Sequence, residues 1–258
     1  MDSAIALRLD GVRVTAAGLR SMLLAPPQGG DDARILDGVS LDVRRGEVLA
    51  ILGESGGGKS TLLRAINRLI DIESGRVEVA GRDVVDWDVR ELRRTAVYVP
   101  QRSYLFGGTV AEEATLACRW NGRRVGDEAV RAMLEAVDLD VVPGAPSSEL
   151  SEGQRLRLCL ARALLLEPEI LLLDEPTGAL DVRTSRRILA ALESWVRERG
   201  ATAIVVTHRP EDLETLGGEA VVLLDGRVAG RYAAADVAAR RVDGDVAAFL
   251  GPPSGGGS

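Results

Sequence analysis

Nine consecutive residues carry the first recognisable chemistry in this sequence: Gly53-Glu54-Ser55-Gly56-Gly57-Gly58-Lys59-Ser60-Thr61. They fit the pattern G-x-x-x-x-G-K-[ST], and each residue type has a physical reason. Glycines let the backbone wrap closely and turn its N–H groups toward phosphate oxygens, while a helix opening at the end of the loop favours negative charge. Lys59 supplies a point charge for β- and γ-phosphates, and the Ser60 hydroxyl suits Mg2+. A glycine-rich turn with a surface lysine is the plainer alternative. Against it, Lys59 is the only lysine among 32 basic residues, and His208 is the only histidine. A chain that avoids both types elsewhere makes their two positions places to look.

A second group is acidic. Ile170-Leu171-Leu172-Leu173-Asp174-Glu175 is an apolar strand that delivers Asp174 at its carboxyl end, where open α/β sheets bind ligands. A buried strand ending in an acid is common. Two adjacent carboxylates suit a division of labour, Asp174 on the metal and Glu175 activating an attacking water.

The elements that must position these groups follow from periodicity. Residues 7–14 and 35–43 alternate apolar and polar and predict strands, while 25–32 have a loop composition. A buried strand at 48–52, the glycine loop and a helix at 62–69 follow in order. A hairpin is expected at 76–86 and a helix at 88–94. Three helices at 109–118, 127–138 and 153–166 precede strands at 170–174, 203–207 and 220–225, with a helix at 183–199 between the first two. Buried strands alternating with helices predict a largely parallel sheet.

With 258 residues and 46% hydrophobic content the chain suits one α/β domain over residues 1–250, followed by a flexible Gly/Ser/Pro tail at 251–258. Acidic residues outnumber basic ones by 39 to 32, which argues against a dedicated nucleic-acid binder. The longest apolar runs are too short to span a bilayer, and Met1-Asp2-Ser3-Ala4 has neither the basic start nor the apolar stretch of a signal peptide. Cys118 and Cys159 have no CxxC spacing, so neither a disulfide framework nor a zinc site is expected and a reducing compartment is.

Leu150-Ser151-Glu152-Gly153-Gln154 resembles the Leu-Ser-x-Gly-Gln signature of ATP-binding cassette (ABC) ATPases, and the resemblance spans about residues 4–230 with the motifs in order. It implies a P-loop NTPase (RecA-like) core with a mostly parallel sheet, an antiparallel β subdomain on the N-terminal side and an inserted α-helical subdomain at about 102–166. Gln101 resembles the family's Q-loop glutamine, Gly178-Ala179-Leu180-Asp181 its D-loop, and His208 its switch histidine. On that resemblance Glu175, His208 and Gln101 are catalytic, Gly53 to Thr61 hold ATP, and Ser60, Gln101 and Asp174 hold Mg2+. Ser151, Gly153, Gln154 and Asp181 would contact nucleotide on a second copy, in a head-to-tail dimer around two Mg-ATP. Ser151 is also well placed as a simple helix cap. Three positions depart from the family. Ala16 stands near where an aromatic residue usually stacks on adenine, so either the insertion at 17–33 supplies a substitute contact or base stacking is weak. Glu152 replaces the commoner glycine, and Gly178 a frequent serine.

The implied function is the ATP-hydrolysing subunit of an ABC transporter. It would sit in the cytoplasm, peripheral on the inner face of the membrane through separate transmembrane permease subunits, with no nucleic-acid partner. A non-transport ABC ATPase acting on DNA or ribosomes would usually show coiled coils, zinc fingers or a second cassette, and a P-loop kinase would not need the signature or His208. Trp87, Tyr98, Tyr104, Phe106 and Trp120 cluster around Gln101; they read equally as an interface for the membrane subunit or as filling for the helical subdomain. Residues 67–69, 90–94 and 101–110 look nearest to small bacterial iron-export and phosphate-import ATPases and to plant aluminium-tolerance relatives. Cargo is chosen by membrane subunits outside this sequence.

Overall fold

The computed structural model describes residues 4–20 and 33–251, and in it the apolar runs become the middle of a six-stranded sheet. Strands β1 (Ile5–Thr15), β2 (Arg34–Arg44), β4 (Ser74–Val79) and β5 (Arg82–Asp83) form an antiparallel sheet in the order β2-β1-β4-β5. Strands β3 (Val48–Gly53), β6 (Ala96–Val99), β7 (Ile170–Asp174), β8 (Thr202–Val206), β9 (Glu219–Leu224) and β10 (Arg227–Ala233) form the other, in the order β10-β9-β3-β8-β7-β6. All its pairings are parallel except β9 with β10.

Ten α-helices connect and cover the sheets. They are α1 (Ala16–Arg20), α2 (Lys59–Ile66), α3 (Val89–Thr95), α4 (Val110–Trp120), α5 (Asp127–Ala136), α6 (Glu152–Leu164), α7 (Val182–Arg199), α8 (Asp212–Leu216), α9 (Ala234–Ala238) and α10 (Gly244–Leu250) among the described residues. The central strands are apolar throughout because both faces are covered. Leu49, Ile51, Ile170, Leu172, Ile204, Val206, Val221 and Leu223 point to one core, shared with the antiparallel sheet and α2. Their strand neighbours Ala50, Leu52, Leu171, Leu173, Ala203, Val205, Ala220 and Val222 point to the other, shared with α4, α6 and α7.

Several boundaries differ from expectation. The helix predicted at 62–69 begins at Lys59 and stops at Ile66. Asn67 leaves the helix and donates its amide to the Ala96 carbonyl, and Arg68 takes a left-handed backbone at φ 48, through which a right-handed helix does not continue. Strand β6 was not expected, since its four residues follow α3 directly and show no periodicity. Strand β10 and helices α8, α9 and α10 were also not expected. Of the insertion at 17–33, Ala17 to Arg20 belong to α1; residues 21–32 lie outside the described residues, so both alternatives for adenine, a substitute contact from the insertion or weak stacking, stay open. The tail from 252 onward lies outside them too.

Candidate nucleotide site

The glycine loop leaves β3 and runs into α2, and two of its glycines are required by close approach. A Cβ on Gly53 would come within 2.1 Å of the Leu223 carbonyl oxygen, and one on Gly58 (φ 90) within 2.5 Å of the Ile35 carbonyl oxygen. The backbones of β9 and β2 therefore press on the loop from behind. A Cβ on Gly56 would meet nothing within 4 Å, so that side is open. Gly58 is the N-cap of α2 and gives the first helical N–H groups no side-chain partner, which leaves an anion site at the helix start. Lys59 is only 5% exposed. Its Nζ donates to the carbonyls of Gly53 at 2.8 Å and Glu54 at 2.6 Å. Burial pulls its ammonium pKa below the ordinary lysine value, opposed by the charges of Glu175, Asp174 and Glu54.

Helix α2 also carries Ser60, whose hydroxyl donates to Asp174 Oδ1 at 2.9 Å. The other oxygen, Oδ2, accepts from the Tyr98 hydroxyl at 2.8 Å. Burial, followed by the Asp174 charge, pushes the Tyr98 phenol well above its ordinary pKa, so it remains a proton donor. Magnesium takes hard oxygen ligands and is usually held by one or two carboxylates plus phosphates and water. The Ser60 hydroxyl and the buried Asp174 carboxylate, brought together from different elements, fit that requirement. Among the described residues no three His, Cys, Asp or Glu side chains gather for a metal.

Glu175 follows Asp174 with a left-handed backbone, φ 51, fixed by its N–H on the Val206 carbonyl at 3.0 Å. Its Oε2 accepts from Gln101 Nε2 at 2.7 Å and lies 3.2 Å from His208 Nδ1. Three residues expected to be catalytic thus meet at one carboxylate oxygen. Gln101 makes this bond through its amide nitrogen, and the oxygen that a metal would take is the other atom of the same amide.

The signature stands apart from the loop. Ser151 and Gln154 form a capping box at the start of α6, and among the described residues no hydrogen bond joins Ser151, Gly153 or Gln154 to Gly53–Thr61. Gly153 packs on the D-loop segment, where a Cβ would lie 3.0 Å from Leu180 Cδ2. Asp181 caps α7 through the N–H groups of Arg183 and Thr184. The Thr184 hydroxyl bond, then that backbone, hold its carboxyl below the usual range.

The aromatic cluster divides. Trp87 and Tyr98 pack against the core beneath the antiparallel sheet, whereas Tyr104, Phe106 and Trp120 are 62%, 67% and 66% exposed. Phe106 meets Trp120 edge to face at 5.2 Å. Glu113, buried in α4, accepts from the N–H groups of Phe106 and Gly107 and from Arg162 at 2.9 Å, and Arg162 donates to the Tyr104 carbonyl at 2.8 Å. This pair, missed in the sequence, fixes the loop that displays the aromatics. One signal was available: Glu113 falls on the apolar stripe Val110, Ala114, Cys118. Buried Asp212 was missed too; its Oδ2 accepts from Thr177 and Thr207, each at 2.8 Å, joining the segments after β7 and β8.

The family model described as ABC transporter matches residues 36–178. Protein STAR1 of Oryza sativa subsp. japonica is 41% identical over 195 residues, covering 75% of this chain and 56% of that protein. The methionine import ATP-binding protein MetN of Rhizobium johnstonii is 39% identical over 199 residues, covering 75% and 55%. The chain spans a little over half the length of both relatives. Among solved structures, cbiO1 from Clostridium perfringens, described as part of the ABC transporter complex cbiONQ, superposes with a TM-score of 0.76 at 26% identity, covering 92% of each chain.

Proposed function

The chain belongs to the ABC transporter family as one of its ATPase domains, and from that premise we propose that it hydrolyses Mg-ATP to drive separate membrane subunits. One observation carries the reading: Glu175, next to the Asp174 that holds Ser60, has its Oε2 between Gln101 and His208.

Lys59 and the start of α2 bind the β- and γ-phosphates. Ser60 and Asp174 would hold magnesium, with Gln101 beside them. Magnesium bound there neutralises charge developing on the phosphate oxygens. Glu175 takes the proton of the attacking water, and its fixed backbone with the Gln101 and His208 contacts holds the carboxylate in one orientation. In the bound state His208 also faces the γ-phosphate. Ser151, Gly153, Gln154 and Asp181 serve a nucleotide on a second copy, which gives a role to a signature that makes no bond to its own phosphate loop. Tyr104, Phe106 and Trp120 receive a helix of the membrane subunit, since exposed aromatics of this kind anchor interfaces. The domain then works at the inner membrane face, consistent with the absence among the described residues of any helix long and apolar enough to cross a membrane. Likeness to an import ATP-binding protein and to a component of a multi-part transporter complex supports separate subunits.

Phosphate release and binding of a fluorescent ATP analogue test the reading together. Wild-type protein should release phosphate, while Glu175→Gln should bind equally well and turn over about 10²- to 10⁴-fold more slowly. A Glu175→Gln variant with wild-type turnover would remove Glu175 from this role.

A further inference from the structure

We propose that Tyr98 is a positioning residue for the metal-holding carboxylate, acting through Asp174 and not on the nucleotide. The inference rests on the reading of Ser60 and Asp174 as magnesium ligands.

Strand β6 is the edge of the six-stranded sheet and pairs with β7 in parallel, with Tyr98 opposite Leu172. Side chains alternate along a strand, so Leu172 and Asp174 share a face, and Tyr98 shares it with them. The ring packs into the core that contains α2, and its hydroxyl reaches one step diagonally to Asp174 Oδ2 at 2.8 Å. Ser60, from α2, takes Oδ1 at 2.9 Å. With one hydroxyl on each oxygen, the carboxylate cannot turn about its terminal bond without breaking a hydrogen bond. Tyr98 therefore helps to fix the plane of the carboxylate that Ser60 meets.

The Tyr98 hydroxyl also meets the Arg64 side chain of α2; a guanidinium has no acceptor, so the hydroxyl's proton goes to Asp174. The strand neighbours of Tyr98, Val97 and Val99, are apolar and buried, and a phenylalanine ring would fill the same volume. Asp174 is 2% exposed, so without Tyr98 water is poorly placed to replace the lost donor. Groups that orient a metal ligand from behind commonly set affinity as strongly as the ligand's own geometry does.

The experiment titrates Mn2+ against the full-length protein holding a non-hydrolysable ATP analogue, counting free Mn2+ by electron paramagnetic resonance. Tyr98→Phe should raise half-saturating Mn2+ about tenfold, in a protein that still melts cooperatively well above the titration temperature and keeps its analogue affinity in EDTA. The Tyr98→Phe/Asp174→Asn double variant should bind Mn2+ no more weakly than Asp174→Asn alone, because Tyr98 acts only through that carboxylate. Wild-type Mn2+ affinity in Tyr98→Phe, alongside clear weakening in Asp174→Asn, would overturn the Tyr98 role and leave the metal reading standing. Additive effects in the double variant would also overturn it. Wild-type affinity in Asp174→Asn would overturn both.

Discussion

The Ser60 hydroxyl donates to Asp174 Oδ1 at 2.9 Å, although the two residues come to the contact from strands that are not neighbours in the sheet. Ser60 follows β3 and Asp174 ends β7, and β8 lies between those strands in the sheet. The contact exists because α2 leaves the end of β3 and packs its Leu62, Leu63 and Ile66 into the core shared with Leu172 and Tyr98. The residues proposed as metal ligands are therefore set by the packing of one helix.

Lys59→Ala should weaken nucleotide binding sharply. Buried Lys59 bonds only loop carbonyls here, and no second lysine exists to replace it. Charge-assisted hydrogen bonds of this kind contribute up to about 3 kcal/mol, so affinity for a labelled ATP analogue should fall roughly a hundredfold. Unchanged affinity would place the phosphates elsewhere.

The aromatic loop separates surface from support. Replacing exposed Tyr104 and Phe106 with serine should change stability by about 1 kcal/mol or less while co-purification with the membrane subunit fails. Arg162→Met should instead cost about 3–5 kcal/mol, because it strands buried Glu113 without its cation. Chemical denaturation of both variants distinguishes them; equal losses would mean that the aromatics support the fold.

Acid stability should depend on Asp37, which ties together Arg13 of β1, Arg34 of β2 and Arg227 of β10. The Arg34 hydrogen bond, aided by Arg227 and opposed by desolvation, holds its carboxyl below the usual 3.8. A folded-state pKa below the unfolded one gives stability that is full above the unfolded value and is lost as pH falls through the folded value. Calorimetric melting temperatures of wild type should therefore drop more steeply below about pH 4 than those of Asp37→Asn. Parallel acid limbs would show that Asp37 contributes nothing.

Much of this was legible in the residues themselves. Runs such as Ile170–Asp174 announce strands covered on both faces, and Lys59 and His208 stand out by rarity. The structure brings Glu175, Gln101 and His208 to one point. Other features left no local trace. The four residues of β6 are too few for periodicity, so Tyr98 looked like one more aromatic. Only the fold shows that the Gln101 amide nitrogen turns to Glu175. Glu113 with Arg162, and Asp212 with Thr177, are long-range partnerships that no local pattern marks.

The most direct test of the account uses light scattering behind a sizing column on Glu175→Gln, which should bind Mg-ATP and not consume it. If Ser151 and Gly153 of one copy close on the nucleotide of another, this variant is a monomer without nucleotide and a dimer with Mg-ATP, and adding Ser151→Arg returns it to a monomer. A Glu175→Gln protein that stays monomeric with Mg-ATP bound, alone and with its membrane partner, while the wild type hydrolyses ATP, would contradict the account.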